Sequence, residues 1–250
     1  MSSEFFLLFI FALFAIGGVA IHIISRKKEK PKKIGAWKKF FVYFFVIYSI
    51  FLFILYVPIL FRIICFLVAF GGAVEIVRLQ LKSQPQFAWS KFCLYFSIYI
   101  ALAVLFVFFA FESIKITLTV VKIHTLTVFT VCIFDAFSQL SGQLFGKRKI
   151  TPRISPNKTL GGLIGGACSA LILGIIANFY FGFGMIDVII LILCVVVASF
   201  VGDLLASYIK RQYVVKDYSA LIPGHGGILD RFDSLIFAGA VMFLLKFIWL

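Results

Sequence analysis

Apolar runs of membrane-spanning length recur along this chain, separated by polar segments of very different size. About 20 apolar residues suffice for a helix to cross the hydrocarbon core of a bilayer. The pattern predicts eight spans, at roughly 5–24, 40–57, 59–80, 92–111, 114–134, 160–180, 186–205 and 233–250. Pro58 either separates the second span from the third or kinks a longer helix. Two long polar loops remain, 135–159 and 206–232. The expected architecture is an all-α polytopic membrane protein with these two loops forming its site. It reads as one membrane domain, 1–250, with N-terminal helices to 134 and the chemistry in 135–250. There is no internal repeat and no low-complexity tract.

Charge sharpens the picture. Of the 24 Lys and Arg residues, eight lie in 26–39, three in 78–91, five in 147–158 and four in 210–231. The loops after spans two, four and six are short, and only Lys115 lies in or beside them. This alternation follows the positive-inside rule and places both long polar loops on the cytoplasmic face. The basic flank of the first run follows it, so that run reads as a retained helix with its N-terminus outside. The net charge of +14 is thus a matter of topology. No block alternates aromatics with cations as a nucleic-acid groove would, so no nucleic-acid partner is expected. Cys65, Cys93, Cys132, Cys168 and Cys194 lie inside apolar runs without CxxC spacing, as small buried hydrophobes do.

The chain has ten acidic residues, and five of them, Asp135, Asp203, Asp217, Asp230 and Asp233, gather at the cytoplasmic ends of the spans or between them. Carboxylates at a membrane boundary are costly unless they are paired, wet or bound to a cation. Ser207 follows Asp203 by one helical turn, so its hydroxyl can stand beside that carboxylate. The segment 207–234 also holds Lys210, Arg211, Lys216, a His225-Gly226-Gly227 turn and Arg231. Carboxylates suit Mg²⁺ and clustered cations suit phosphates. In 135–162, Asp135, Ser138, Gln139 and Gly142 recur at three and four and would share a helix face. Ser155, Lys158 and Thr159 precede a glycine-rich helix start, the geometry of an anion site. Glu75 and Arg78 stand at i and i+3 and are expected to pair.

These two loops resemble the phosphatidate cytidylyltransferase (CDP-diacylglycerol synthase) family. The family pattern is filled without a gap by Ser207, Lys210, Arg211, Lys216, Asp217, Pro223, His225, Gly226, Gly227, Asp230, Arg231 and Asp233. Gly202-Asp203 and the Ser-Pro-x-Lys-Thr element at 155–159 extend it. Family members commonly carry arginine where Gln143 stands and glutamate where Gly161 and Ala206 stand. The resemblance implies transfer of a cytidylyl group from CTP to phosphatidic acid, giving CDP-diacylglycerol and pyrophosphate. Asp203, Asp230 and Asp233 would hold Mg²⁺, and the chemistry could use a second cation. Lys210 and Arg211 would join those acids in catalysis. Ser155, Lys158, Thr159, Ser207, Lys216, His225 and Arg231 would contact substrate, with His225 shaping the loop rather than acting as a base. The resemblance further implies a homodimer, among membrane lipids, in a bacterial-type inner membrane. Two other readings stay open. One is a cytidylyltransferase for another lipid phosphate, such as an isoprenoid-glycerol phosphate. The other is a cation-coupled transporter, which would place its acids near the midplane on broken helices rather than at one face.

Overall fold

The computed structural model describes residues 3–25, 30–82, 89–111, 117–221 and 226–249. Pro223, His225 and Lys115 lie outside the described residues. Eight helices run in order: α1 (Ser3–Ser25), α2 (Lys30–Tyr56), α3 (Pro58–Lys82), α4 (Trp89–Phe111), α5 (Leu118–Phe145), α6 (Leu160–Phe181), α7 (Met185–Gln212) and α8 (Leu229–Trp249). Among the described residues, α3 to α7 are each long and apolar enough to cross a membrane, so the chain is a helical, polytopic integral membrane protein. Two apolar stretches, Ser3–Val19 and Phe40–Tyr56, are shorter.

The chain divides into two compact units, Met1–Phe61 and Arg62–Leu250. In the first, α1 packs on α2 through edge-to-face aromatics. Phe14 meets Phe44 at 5.1 Å between ring centres, Phe6 meets Phe51 at 5.8 Å and Phe11 meets Phe44 at 6.0 Å. Edge-to-face contacts match the positive rim of one ring to the negative face of another.

In the second unit α5 is the central helix; 67% of its most apolar window is buried, against 22–39% for the other four spans. Its closest neighbour is α6, and the contact is made by small residues. A methyl on Gly162 would lie 2.7 Å from the Ser138 carbonyl oxygen, and one on Gly166 2.9 Å from that of Phe134. Lipid tails are as apolar as side chains, so helices in a membrane associate by close packing, which glycines permit. The small-xxx-small spacing at 161–166 therefore serves helix contact.

Two helices run past the ends that hydropathy drew. Helix α5 continues to Phe145, so Asp135, Ser138, Gln139 and Gly142 lie on a helix, as their spacing predicts. Helix α7 likewise continues to Gln212. Hydropathy ends where polar residues begin, but a helix ends only where its backbone loses partners or meets a breaker; here Gly146 is the cap. The segment after it forms a hairpin of β1 (Lys149–Thr151) and β2 (Ser155–Thr159), antiparallel, with Lys149 opposite Thr159 and Thr151 opposite Ser155. Apolar patterning carried no signal for this short polar hairpin. Pro58 opens α3, which settles it as a helix start, where a missing N–H costs nothing.

Gly162→Ala forces a methyl onto backbone and should lower stability by about 1–3 kcal/mol. Gly35→Ala in α2 meets nothing within 4 Å. It should be neutral or stabilising by up to about 1 kcal/mol. Thermal unfolding of the two purified variants in detergent checks the contrast.

Candidate functional site

The extension of α7 brings Asp203, Ser207, Lys210 and Arg211 onto the last turns of one helix. The Ser207 hydroxyl donates to Asp203 Oδ1 at 3.3 Å, as the one-turn spacing predicts. The helix then closes with a left-handed residue: Val214 takes φ 56°, Val215 N–H donates to the Lys210 carbonyl and Val214 N–H to that of Arg211. This is the double bond pattern that usually ends on glycine. A β-branched residue there is strained.

Beyond that reversal, one carboxylate gathers the returning chain. Lys210 Nζ lies 2.7 Å from Asp230 Oδ1, with the two side chains 10% and 2% exposed. The other oxygen, Oδ2, accepts the backbone N–H groups of Tyr218 and Gly227, both at 2.8 Å. Gly226 takes φ 85°, and a methyl there would lie 2.9 Å from Asp230 Oδ2, so both its backbone and its bareness are required. Asp230 thus joins α7, the loop and the first turn of α8.

A second ion pair joins the hairpin to α7. Lys158 Nζ lies 2.5 Å from Asp203 Oδ2, with side chains 18% and 35% exposed, and 4.7 Å above the Phe200 ring. Arg211 reinforces this junction: its Nε donates to the Ile154 carbonyl at 3.1 Å and its Nη1 to that of Val215 at 2.9 Å. Both polar segments therefore meet on one surface.

Three expected roles change. Thr159 is buried and caps α6, its hydroxyl accepting Gly162 N–H at 3.1 Å. Leu160 N–H donates to the Arg148 carbonyl. Two donors of the α6 N-terminus are thus already taken, and Lys158 turns to Asp203. The cations and acids assigned separately to phosphate and metal are paired with each other: Lys158 with Asp203 and Lys210 with Asp230. Glu75 does not make its expected bond to Arg78; it accepts Ser219 Oγ at 2.6 Å and the N–H groups of Ile228 and Leu229, both at 2.9 Å. Ser155 is half-buried on β2, while Lys216 and Arg231 are exposed.

Sequence reasoning left Asp135 outside the assigned site. It interacts electrostatically with Asp203, Asp233 and Lys158, and the Ser234 hydroxyl bonds to it. It remains solvent-accessible, with Asp203 and Asp233 half-buried. Three carboxyl groups from α5, α7 and α8 thus act on one another, with the Lys158 and Lys210 ammoniums beside them. Among the described residues no three acidic, His or Cys side chains form a closed metal-binding group. Mg²⁺ does not require one: it keeps several waters and takes one or two carboxylates together with substrate phosphates. Hard oxygens from three helices, reached by water, fit that ion. Asp230 fits less well than Asp203 and Asp233, because three of the roughly four lone-pair positions of its carboxylate are in use.

Tyr218 was also missed. It is buried, its hydroxyl donates to the Ala206 carbonyl at 3.0 Å, and the Lys210 ammonium sits 5.4 Å from its ring centre. Burial first, then the Asp233 and Asp230 charges, raise its phenol well above the usual range and keep it a donor. A tyrosine in a polar loop gives no sign in sequence that it turns inward.

The chain belongs to the cytidylyltransferase family, whose pattern it matches over residues 5–249. It is 44% identical over 105 residues to the phosphatidate cytidylyltransferase of Staphylococcus haemolyticus, covering 41% of this chain and 40% of that one. It is 42% identical over 111 residues to that of Brucella abortus, with 44% and 41% covered. With that of Rickettsia conorii it shares 38% over 121 residues, with 45% and 52% covered. The chain thus spans about half or less of the length of the curated relatives it matches.

Asp230→Asn leaves a buried ammonium without its counter-charge and should cost about 3–5 kcal/mol. Adding Lys210→Met should restore much of that loss without restoring turnover. Lys158→Met, at a more open pair, should cost less than about 1 kcal/mol. Unfolding midpoints in detergent separate the three.

Proposed function

We propose that this protein transfers the cytidylyl group of CTP to phosphatidate, releasing pyrophosphate and leaving CDP-diacylglycerol in the membrane. One observation carries the reading: the Lys158–Asp203 and Arg211–Ile154 contacts join the two polar segments into one surface rich in cations and carboxylates. The names of the relatives support the choice of substrates.

The attacking group is the lipid's own phosphate, anionic at neutral pH, so no protein base is required. Catalysis then rests on alignment and on neutralising charge about the phosphorus. Lys158, Arg211, Lys216 and Arg231 supply positive charge from both segments, Lys210 adds its field from within its buried pair with Asp230, and Ser155 and Ser207 supply hydroxyls. Phosphate arriving beside Lys158 offers that ammonium a second anionic partner, which loosens its hold on Asp203. Asp203 and Asp233, with Asp135 beside them and Asp230 at the edge, would hold Mg²⁺. When bound, Mg²⁺ neutralises phosphate oxygens and fixes their orientation, and a second cation would extend this. The eight helices all span, the site faces the cytoplasm of a bacterial-type cell, and the protein works as a homodimer.

The test is pyrophosphate release from CTP by purified protein supplied with different lipid phosphates. Turnover with phosphatidate is expected. A strong preference for an isoprenoid-glycerol phosphate moves the reading to that substrate, and no release with any lipid phosphate overturns it.

Sidedness has its own check. Single cysteines replacing Arg153 and Ala220, both exposed, should react with impermeant reagent only after the cytoplasmic side is opened. A cysteine at exposed Asp187, at the far end of α7, should react from outside. The background lacks the five native cysteines.

A further inference from the structure

Helix α3 lies outside both polar segments, yet one face of it is shaped to receive the loop between α7 and α8. Glu75 is 3% exposed and its carboxylate is fully engaged by that loop. Oε1 accepts Ser219 Oγ at 2.6 Å and Ile228 N–H at 2.9 Å, and Oε2 accepts Leu229 N–H at 2.9 Å. One turn earlier, glycines make room. A side chain on Gly71 would lie 2.7 Å from Ile228 Cδ1, and one on Gly72 3.3 Å from Leu229 Cδ1. The fit is mutual, since a methyl on Gly227 would lie 2.5 Å from Glu75 Oε1 and 2.7 Å from Oε2. Five residues beyond Glu75, Gln80 Oε1 accepts the Tyr213 hydroxyl at 3.0 Å, where the loop begins.

The seat thus grips the loop at its start, its middle and its end. A carboxylate taking free N–H groups at a helix N-terminus satisfies donors that the helix cannot, and its charge complements the helix dipole. Here the helix is α8, whose first two turns carry Asp230, Arg231 and Asp233. Asp230 itself takes Gly227 N–H. Two carboxylates, one from α3 and one from α8, therefore hold consecutive amides, 227 to 229, from opposite ends.

We infer that Glu75 is a positioning residue for the cytidylyl transfer proposed above: it sets the register of the α8 start, and with it Asp230 and Asp233, without touching substrate. The inference rests on that reading for its chemistry. The clamp itself is testable without it.

Three measurements decide the matter. Glu75→Gln keeps the size but loses the charge, and Glu75→Ala removes the clamp. In both, amide hydrogen exchange at 226–230 should quicken by about tenfold or more while the α5–α6 contact keeps its protection. In Glu75→Gln, kcat should fall by about tenfold or more and the Mg²⁺ concentration for half-maximal turnover should rise. A mere loss of folded protein would lower the rate with that concentration unchanged. Lastly, Gly227→Ala should cost activity by about tenfold more in the native background than in Glu75→Ala, because the three atoms nearest its methyl all belong to that carboxylate group.

Wild-type exchange at 226–230 in both variants overturns the inference. So does a rate loss with an unchanged Mg²⁺ requirement, or an equal cost of Gly227→Ala in the two backgrounds. If the native protein turns over no lipid phosphate, the proposed function falls, and local loosening of 226–230 in Glu75→Gln still decides for or against the clamp.

Discussion

A single buried carboxylate holds the chemistry of this protein in place. Asp230 is almost wholly withdrawn from water and would be intolerable there alone. Its partners come from three places in the chain: an ammonium near the end of α7, an amide in the loop and an amide just before α8. Each therefore fixes the others. The left-handed Gly226 is a consequence, because only that backbone delivers Gly227 N–H to the same oxygen. So is the inward turn of Tyr218, whose amide binds Asp230 while its hydroxyl reaches back to α7. The loop is long and polar, yet its fold is determined by one charge that cannot be left unsatisfied.

The bilayer explains why polar groups do this work. Water drives helices together in soluble proteins, but between helices in lipid that force is missing. What remains is close contact and polar bonding. Helices α5 and α6 use the first, through Gly162 and Gly166 against the α5 backbone. Helices α3, α7 and α8 use the second near the membrane surface, through Glu75, Gln80, Lys210 and Asp230. Gly202 combines the two, since a methyl there would lie 3.0 Å from the Asp233 carbonyl oxygen. The α7–α8 contact thus sets both the helix crossing and the separation of Asp203 from Asp233.

Much of this could be read from sequence because a membrane writes a strong signal. Apolar length gave the helices. Ser207 beside Asp203 followed from helical spacing alone. What could not be read depended on distance in space. The overrun of α5 to Phe145 lies in a polar stretch, and only the folded chain turns Asp135, already read among the acids gathered at the span ends, toward Asp203 and Asp233. Glu75 was matched to Arg78 because the only neighbours visible in sequence are those on the same helix. Its real partners are 144 to 154 residues away. The motif marks Thr159 as a substrate contact; that its hydroxyl also caps α6 depends on where the helix starts.

The two ion pairs show why that separation matters. Lys210–Asp230 is buried and tied to backbone amides on the carboxylate side, so exchanging its partners would dismantle the loop. Lys158–Asp203 is more open, its ammonium also rests on an aromatic face, and its carboxylate is held otherwise only by a serine hydroxyl. On the proposed function, a phosphate would compete for Lys158 at small cost, whereas competing for Lys210 would leave Asp230 bare. Identical chemistry in the sequence, one lysine and one aspartate in each case, therefore supports two different duties. The buried pair supplies a rigid frame. On the function proposed above, the open pair offers charges that a ligand could reassign, with Asp135 acting electrostatically on Asp203 from α5.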